Sequence, residues 1–163
     1  MSRAFVKEDG PDNAPLPDLP ISPHPNWVTP RGLALLRAAL AEAQRRLEEM
    51  RARPDRLDRL PEAAAERDIW YFEARLKSAI LVDPQERGID EVGFGHSVRV
   101  LDEAGNEALY RIVGEDEADA TQGLIAPHSP LARALIGAGV GDVVTWRRPL
   151  GVVELEVMEI GLE

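Results

Sequence analysis

Residues 29–50 read TPRGLALLRAALAEAQRRLEEM, and their spacing decides how the chain begins to fold. Thr29 can accept from the free N–H groups of a first helical turn. Pro30 suits the first helical position, where no N–H is needed. Leu36, Leu40, Ala43, Leu47 and Met50 then recur at intervals of 4, 3, 4 and 3, the period of a two-helix seam. Arg45, Arg46, Glu48 and Glu49 fall off that seam and should face water. A lone helix of this length is marginal in water, so its apolar stripe calls for a partner.

The partner lies just downstream. The pattern breaks at Arg53-Pro54 and restarts near Pro61-Glu62. Ala65, Ile69, Phe72, Leu76 and Ala79 then repeat the same intervals until Asp83-Pro84. Two matched seams joined by a short break predict an antiparallel coiled-coil hairpin over residues 28–83. Trp70 and Tyr71 flank the second seam as packing residues or a partner-facing patch. The break itself, PDRLDRLPE at residues 54–62, carries Asp55, Asp58 and Glu62. Acids at a hairpin tip could help to hold a metal ion in another protein's active site. They could equally form a solvated turn, with Asp58 capping the second helix. The residues alone leave both readings open.

Residues 1–27 hold six prolines and no apolar period, so they read as a disordered, extended tail, with Trp27 placed to pin its end. Residues 84–93 read as a linker. From residue 94 the period changes to two. His96, Val98, Val100 and Leu101 lie on one strand, Ala104-Gly105-Asn106 makes a turn, and residues 108–113 form a second strand. Ser129-Pro130 opens a short helix to about Ile136, closed by Gly137 or Gly139. Residues 143–147 and 152–160 read as two more strands. The fold class is therefore α+β with segregated halves: a helical hairpin, then a small antiparallel β domain over 94–163 with one short helix.

Composition narrows the function. The chain has 163 residues, 44% of them hydrophobic, and no apolar run long enough to span a bilayer. The opening MSRAFVKEDG lacks the pattern of a secretory signal, so a cytoplasmic location is expected. With no cysteine there are no disulfides or thiolate metal sites. Formal net charge is −10, and residues 91–163 carry 13 acids against 5 bases. Such a domain would repel DNA phosphates and suits a partner with a basic surface. No phosphate-binding loop, dinucleotide fingerprint or nucleophile elbow is present. His24, His96 and His128 are far apart in sequence, so no metal site is expected on them, and no cofactor of the chain's own is expected. The cluster Glu115-Asp116-Glu117-Ala118-Asp119 reads as a docking surface or a solvated loop.

The run YRIVGEDEADATQGLIAPHSPLARALIGAGVGDVV, Tyr110 to Val144, resembles the bacterial Gre transcript-cleavage factor family. The matching positions include Tyr110, Ile112, Val113, Gly114, Asp116, Glu117, Ala118 and Asp119. They continue through Ser129, Pro130, Ala132, Arg133, Leu135, Gly137, Gly141 and Asp142. Val28 to Gly32 and Leu81 to Pro84 also fit. The resemblance implies that the β domain is FKBP-like and binds RNA polymerase at the rim of its secondary channel, with Asp116, Glu117, Asp119, Ser129, Pro130 and Arg133 as candidate contacts. It implies a coiled coil that enters the channel, near nascent RNA, and whose tip acids in cleaving members help to hold magnesium. The factor itself is then a monomeric accessory protein and not an enzyme. Here the hairpin is shorter than the family pattern by roughly fifteen residues, or ~10 Å of reach per helix. Asp58 and Arg59 stand where the family has glutamate and asparagine. Weak or absent stimulation of cleavage is the expectation. The remaining alternatives are an active cleavage factor using Asp55 and Asp58, a peptidyl-prolyl isomerase suggested by fold alone, and direct nucleic-acid binding, including DNA binding, through the arginines of the hairpin.

Overall fold

The computed structural model describes residues 16–162; the first part of the proline-rich tail, including Pro11 and Pro15, lies outside the described residues. Helix α1 spans Pro30–Arg51 and α2 spans Leu60–Ser78, antiparallel and packed along their seams. Thr29 is the N-cap of α1 and its hydroxyl accepts from Gly32 N, as the sequence predicts. Leu36, Ala43 and Leu47 are buried against α2, whose Ala65 is buried opposite them. The α2 cap differs from expectation. Arg59 occupies the cap position without a side-chain bond, and the helix starts at Leu60. Asp58 stands one residue too early and instead accepts from Leu60 N through an Asx turn.

The second half is a five-stranded sheet in the order β5-β4-β3-β7-β6. Its strands are β3 (Ser97–Asp102), β4 (Glu107–Ile112), β5 (Leu124–Ile125), β6 (Val143–Arg148) and β7 (Gly151–Gly161). Alternation sends Val98, Val100, Ile112, Leu155 and Val157 into one core, where they meet Leu131, Ala132 and Leu135 of α3 (Pro130–Leu135). Ser129 caps α3 through Ala132 N. The register of β3 on β7 slips between Arg99 and Val100, a bulge that turns both Met158 and Glu159 outward. The sheet is not wholly antiparallel: β5 pairs with β4 in parallel. Two residues are too few to show a period, so the sequence carries no signal for that strand.

The expectation of a structureless tail to residue 27 does not hold for its last residues. β1 (Trp27–Val28) pairs in parallel with β2 (Ile80–Leu81), so the strand entering the hairpin lies beside the one leaving it. Asn26 is buried and its side-chain amide donates to Arg75 O at 2.8 Å. The Trp27 ring meets Phe94 of the β domain edge to face, with centroids 5.8 Å apart. The segment lacks a core of its own and borrows one from both halves. No helix among the described residues is long and apolar enough to cross a membrane.

Gly114 makes this docking possible. A Cβ built there would lie 2.5 Å from the Trp27 carbonyl oxygen, far inside van der Waals contact. Gly114→Ala is expected to push β1 off the loop after β4 and to destabilise the protein by ~1–3 kcal/mol. Thermal unfolding measures the loss, and Trp27 fluorescence should shift to the red as the ring leaves Phe94.

Candidate functional site

The acidic cluster turns inward at the base of the hairpin. Arg75, on α2, is 1% exposed. Its Nε donates to Asp116 Oδ2 at 2.7 Å, and its Nη2 donates to Asn26 Oδ1 at 2.8 Å and to Glu115 Oε2 at 3.2 Å. Tyr71, one turn earlier, donates its hydroxyl to Asp116 Oδ1. Burial and that carboxylate push the Tyr71 phenol up to about 12. A buried arginine on α2 thus holds the loop after β4 and the segment before β1 together.

Glu117 makes the second half of the clasp. It is buried and accepts from Thr29 Oγ1 at 2.5 Å and from Arg31 Nη1 at 2.8 Å. The carboxylate sits over the first turn of α1, where free N–H groups favour negative charge. Gly32 leaves room for it, since a Cβ there would meet Glu117 Oε1 at 2.9 Å. Asp119 is used locally. Its oxygens accept from Thr121 N at 3.0 Å, from the Thr121 hydroxyl and from Gln122. These bonds hold its carboxyl below the ordinary value. As a surface for a basic partner, Asp116 and Glu117 are therefore already engaged by Arg75, Tyr71, Thr29 and Arg31.

What remains open beside them is the face of α3. Pro130, Arg133 and Ile136 are exposed, and Ser129 is half-buried as the cap. Arg133 and Ile136 border a largely apolar groove of about 260 Å³, walled also by Pro25, Trp27 and Pro127. Part of that wall, His24, Pro25 and Trp27, comes from the docked tail, which sequence patterns assign no structure. The same docking stacks the His24 ring on His128 at 4.1 Å, beside Glu115. His96 stays apart from them. It is buried, accepts from Gly93 N at 2.9 Å, and burial lowers its pKa. Phe94, Tyr110 and Trp146 fill or flank the β-domain core.

At the far end of the hairpin, Asp55 accepts from Leu57 N at 3.1 Å and Asp58 accepts from Leu60 N at 3.0 Å. Glu62 is held by Arg56 through two bonds, at 2.8 and 2.6 Å. Arg56 lowers the Glu62 pKa. The loop is built by short-range bonds, and Leu57 at its crest is 94% exposed.

Residues 85–161 match the family described as "Transcription elongation factor, GreA/GreB, C-term". The sheet, α3 and the loop after β4 together thus form a carboxy-terminal domain of that class. The match covers just under half of the chain. Over 94 residues the chain is 46% identical to the transcription elongation factor GreA of Alkalilimnicola ehrlichii, covering 56% of this chain and 60% of that one. Over 96 residues it is 42% identical to GreB of Neisseria meningitidis serogroup B, covering 58% and 59%. The matches span about three-fifths of the length of these curated relatives. Among solved structures, the GreA factor homolog 1 (Gfh1) of Thermus thermophilus is similar at 27% identity and a TM-score of 0.41, over 84% of this chain and 99% of that one.

Two outcomes follow from this geometry. Arg75→Ala leaves two carboxylates and Asn26 without their partner and should cost ~3–5 kcal/mol. Thermal unfolding reads that loss, and the alkaline titration of Tyr71 by ultraviolet absorbance reports whether Asp116 keeps its place. At the tip, a lowered Glu62 pKa means that the Arg56 pair stabilises the folded loop above the ordinary value of 4.5 and is lost as pH falls through the lowered one. In Arg56→Gln the Glu62 carboxyl, followed by NMR, should titrate at higher pH than in the wild type.

Proposed function

We propose that this chain is a regulator of transcript elongation that binds RNA polymerase at the rim of the secondary channel and stimulates transcript cleavage weakly or not at all. Residues 94–163 act as an FKBP-like docking domain, residues 28–83 as a short coiled-coil arm, and residues 84–93 as the connection. The observation that carries the reading is the family match over residues 85–161, joined to a hairpin with an atypical tip. The protein acts as a cytoplasmic monomer and is not itself an enzyme; any RNA hydrolysis takes place in the polymerase active site.

Docking runs through the open face of α3. Pro130, Arg133 and Ile136 offer apolar surface and one cation beside the groove, while Ser129 holds the helix start. Asp116 and Glu117 act indirectly, by fixing the angle between this face and the arm; Asp119 fixes the turn beside it. The arm then points into the channel, close to nascent RNA. At 22 residues α1 reaches ~33 Å, with ~1.5 Å per residue.

Magnesium held by polymerase needs carboxylate oxygens placed to a fraction of an ångström. Asp55 and Asp58 are committed to their own backbone, Glu62 to Arg56, and Arg53 and Arg59 add positive charge. Each aspartate uses only its Oδ1, which favours a second reading in which Oδ2 of Asp58 lends weak help to that magnesium.

The test uses polymerase complexes stalled in a backtracked state. The expected result is little RNA shortening, together with inhibition of an added cleavage-competent factor by competition for the rim. Arg133→Glu should abolish that competition while leaving the clasp intact. Robust shortening lost in Asp58→Ala would replace this reading with the second one. Failure of core polymerase to bind the protein at micromolar concentration would overturn both.

A further inference from the structure

Three residues from separate parts of the chain converge beside the docked tail. His24 comes from the segment before β1, Glu115 from the loop after β4, and His128 from the turn before α3. Their candidate ligand atoms all lie within 4.8 Å of one another. We infer that His24, Glu115 and His128 form a binding site for a divalent transition metal of the zinc type. This inference does not depend on how the protein engages polymerase.

The donor set and spacing fit that ion. Two imidazole nitrogens and one carboxylate are a usual three-ligand set for zinc, leaving a fourth position for water. His128 Nδ1 lies 3.2 Å from Glu115 Oε1. Neighbouring ligands in a tetrahedral site with bonds of about 2.0–2.1 Å stand roughly 3.3 Å apart, so this pair is already at ligand spacing. His24 is the member that must move. Its ring is stacked on His128, with centroids 4.1 Å apart and planes 13° from parallel, so the two imidazoles do not yet converge on one point. Because His24 is exposed, rotation about its side-chain bonds can bring a nitrogen to the same point as the other two.

The surroundings support the carboxylate. Arg75 Nη2 donates to Glu115 Oε2 at 3.2 Å, and Ser22 Oγ donates to Oε1 at 2.8 Å. Such outer contacts orient a ligand without occupying the metal. Magnesium, which prefers oxygen donors and keeps its water, is a poor match for two imidazoles. A bound ion would tie residues 22–24 to the β domain and close the groove wall made by Pro25 and Trp27. Binding to the folded state alone raises the unfolding temperature.

The experiment titrates the metal-stripped full chain with zinc chloride by calorimetry, with magnesium chloride as a parallel arm. The expected result is saturable one-to-one zinc binding in the micromolar range, a zinc-dependent rise in unfolding temperature and no response to magnesium. His128→Ala should abolish binding, and His24→Ala should weaken it by about tenfold or more. Both side chains lie partly or largely in solvent, so circular dichroism of the metal-free variants should match the wild type and separate lost ligation from lost folding. Absence of saturable zinc binding, or binding unchanged in both variants, would overturn the assignment.

Discussion

Arg75 is withdrawn from water and surrounded by carboxylates, and the arrangement of the whole molecule depends on that fact. Removing a guanidinium from solvent costs several kcal/mol unless carboxylates and hydrogen bonds replace the water. Here the replacements come from two distant places: Glu115 and Asp116 of the β domain, and Asn26 of the segment before the hairpin. A pair of this kind adds little net stability over an apolar alternative. It does tie separate segments to one side chain, since Asn26, Glu115 and Asp116 all bond to it. Glu117 on Thr29 and Arg31 repeats the device on the other helix. The hairpin is thus gripped at its base through both of its helices.

That grip changes what the acidic cluster is for. By composition it is the most negative stretch of the chain and invites a basic partner. By geometry it is an internal fastener, and the exposed surface beside it is the neighbouring α3 face with its apolar groove. The two roles remain linked. Arg75 and Glu117 tie the arm to the domain without belonging to the exposed α3 face.

The tip obeys a different logic. Its bonds join residues two to six positions apart, so the loop closes on local chemistry and needs nothing from the rest of the fold. Its acids are less available to an external metal than acids on an open loop would be.

Much of this was legible in the order of residues. The seams of α1 and α2, the Thr29-Pro30 start, the Ser129-Pro130 helix and most of the sheet strands follow from periods of 3.5 and 2 and from capping chemistry, which act over a few residues. The family resemblance rested on a long run of specific positions and marked the same domain. Three things could not be read that way. Arg75 lies beside the predicted seam and looks like a solvated base until Asp116 and Glu115 are brought to it. β5 and the β1–β2 pair are two-residue strands, too short for a pattern. His24 and His128 are separated by more than a hundred residues and meet only because Asn26 and Trp27 dock where they do. Local rules determine the elements; the burial of one charged side chain and the docking of a coreless segment decide how those elements meet, because both depend on partners that sequence distance conceals.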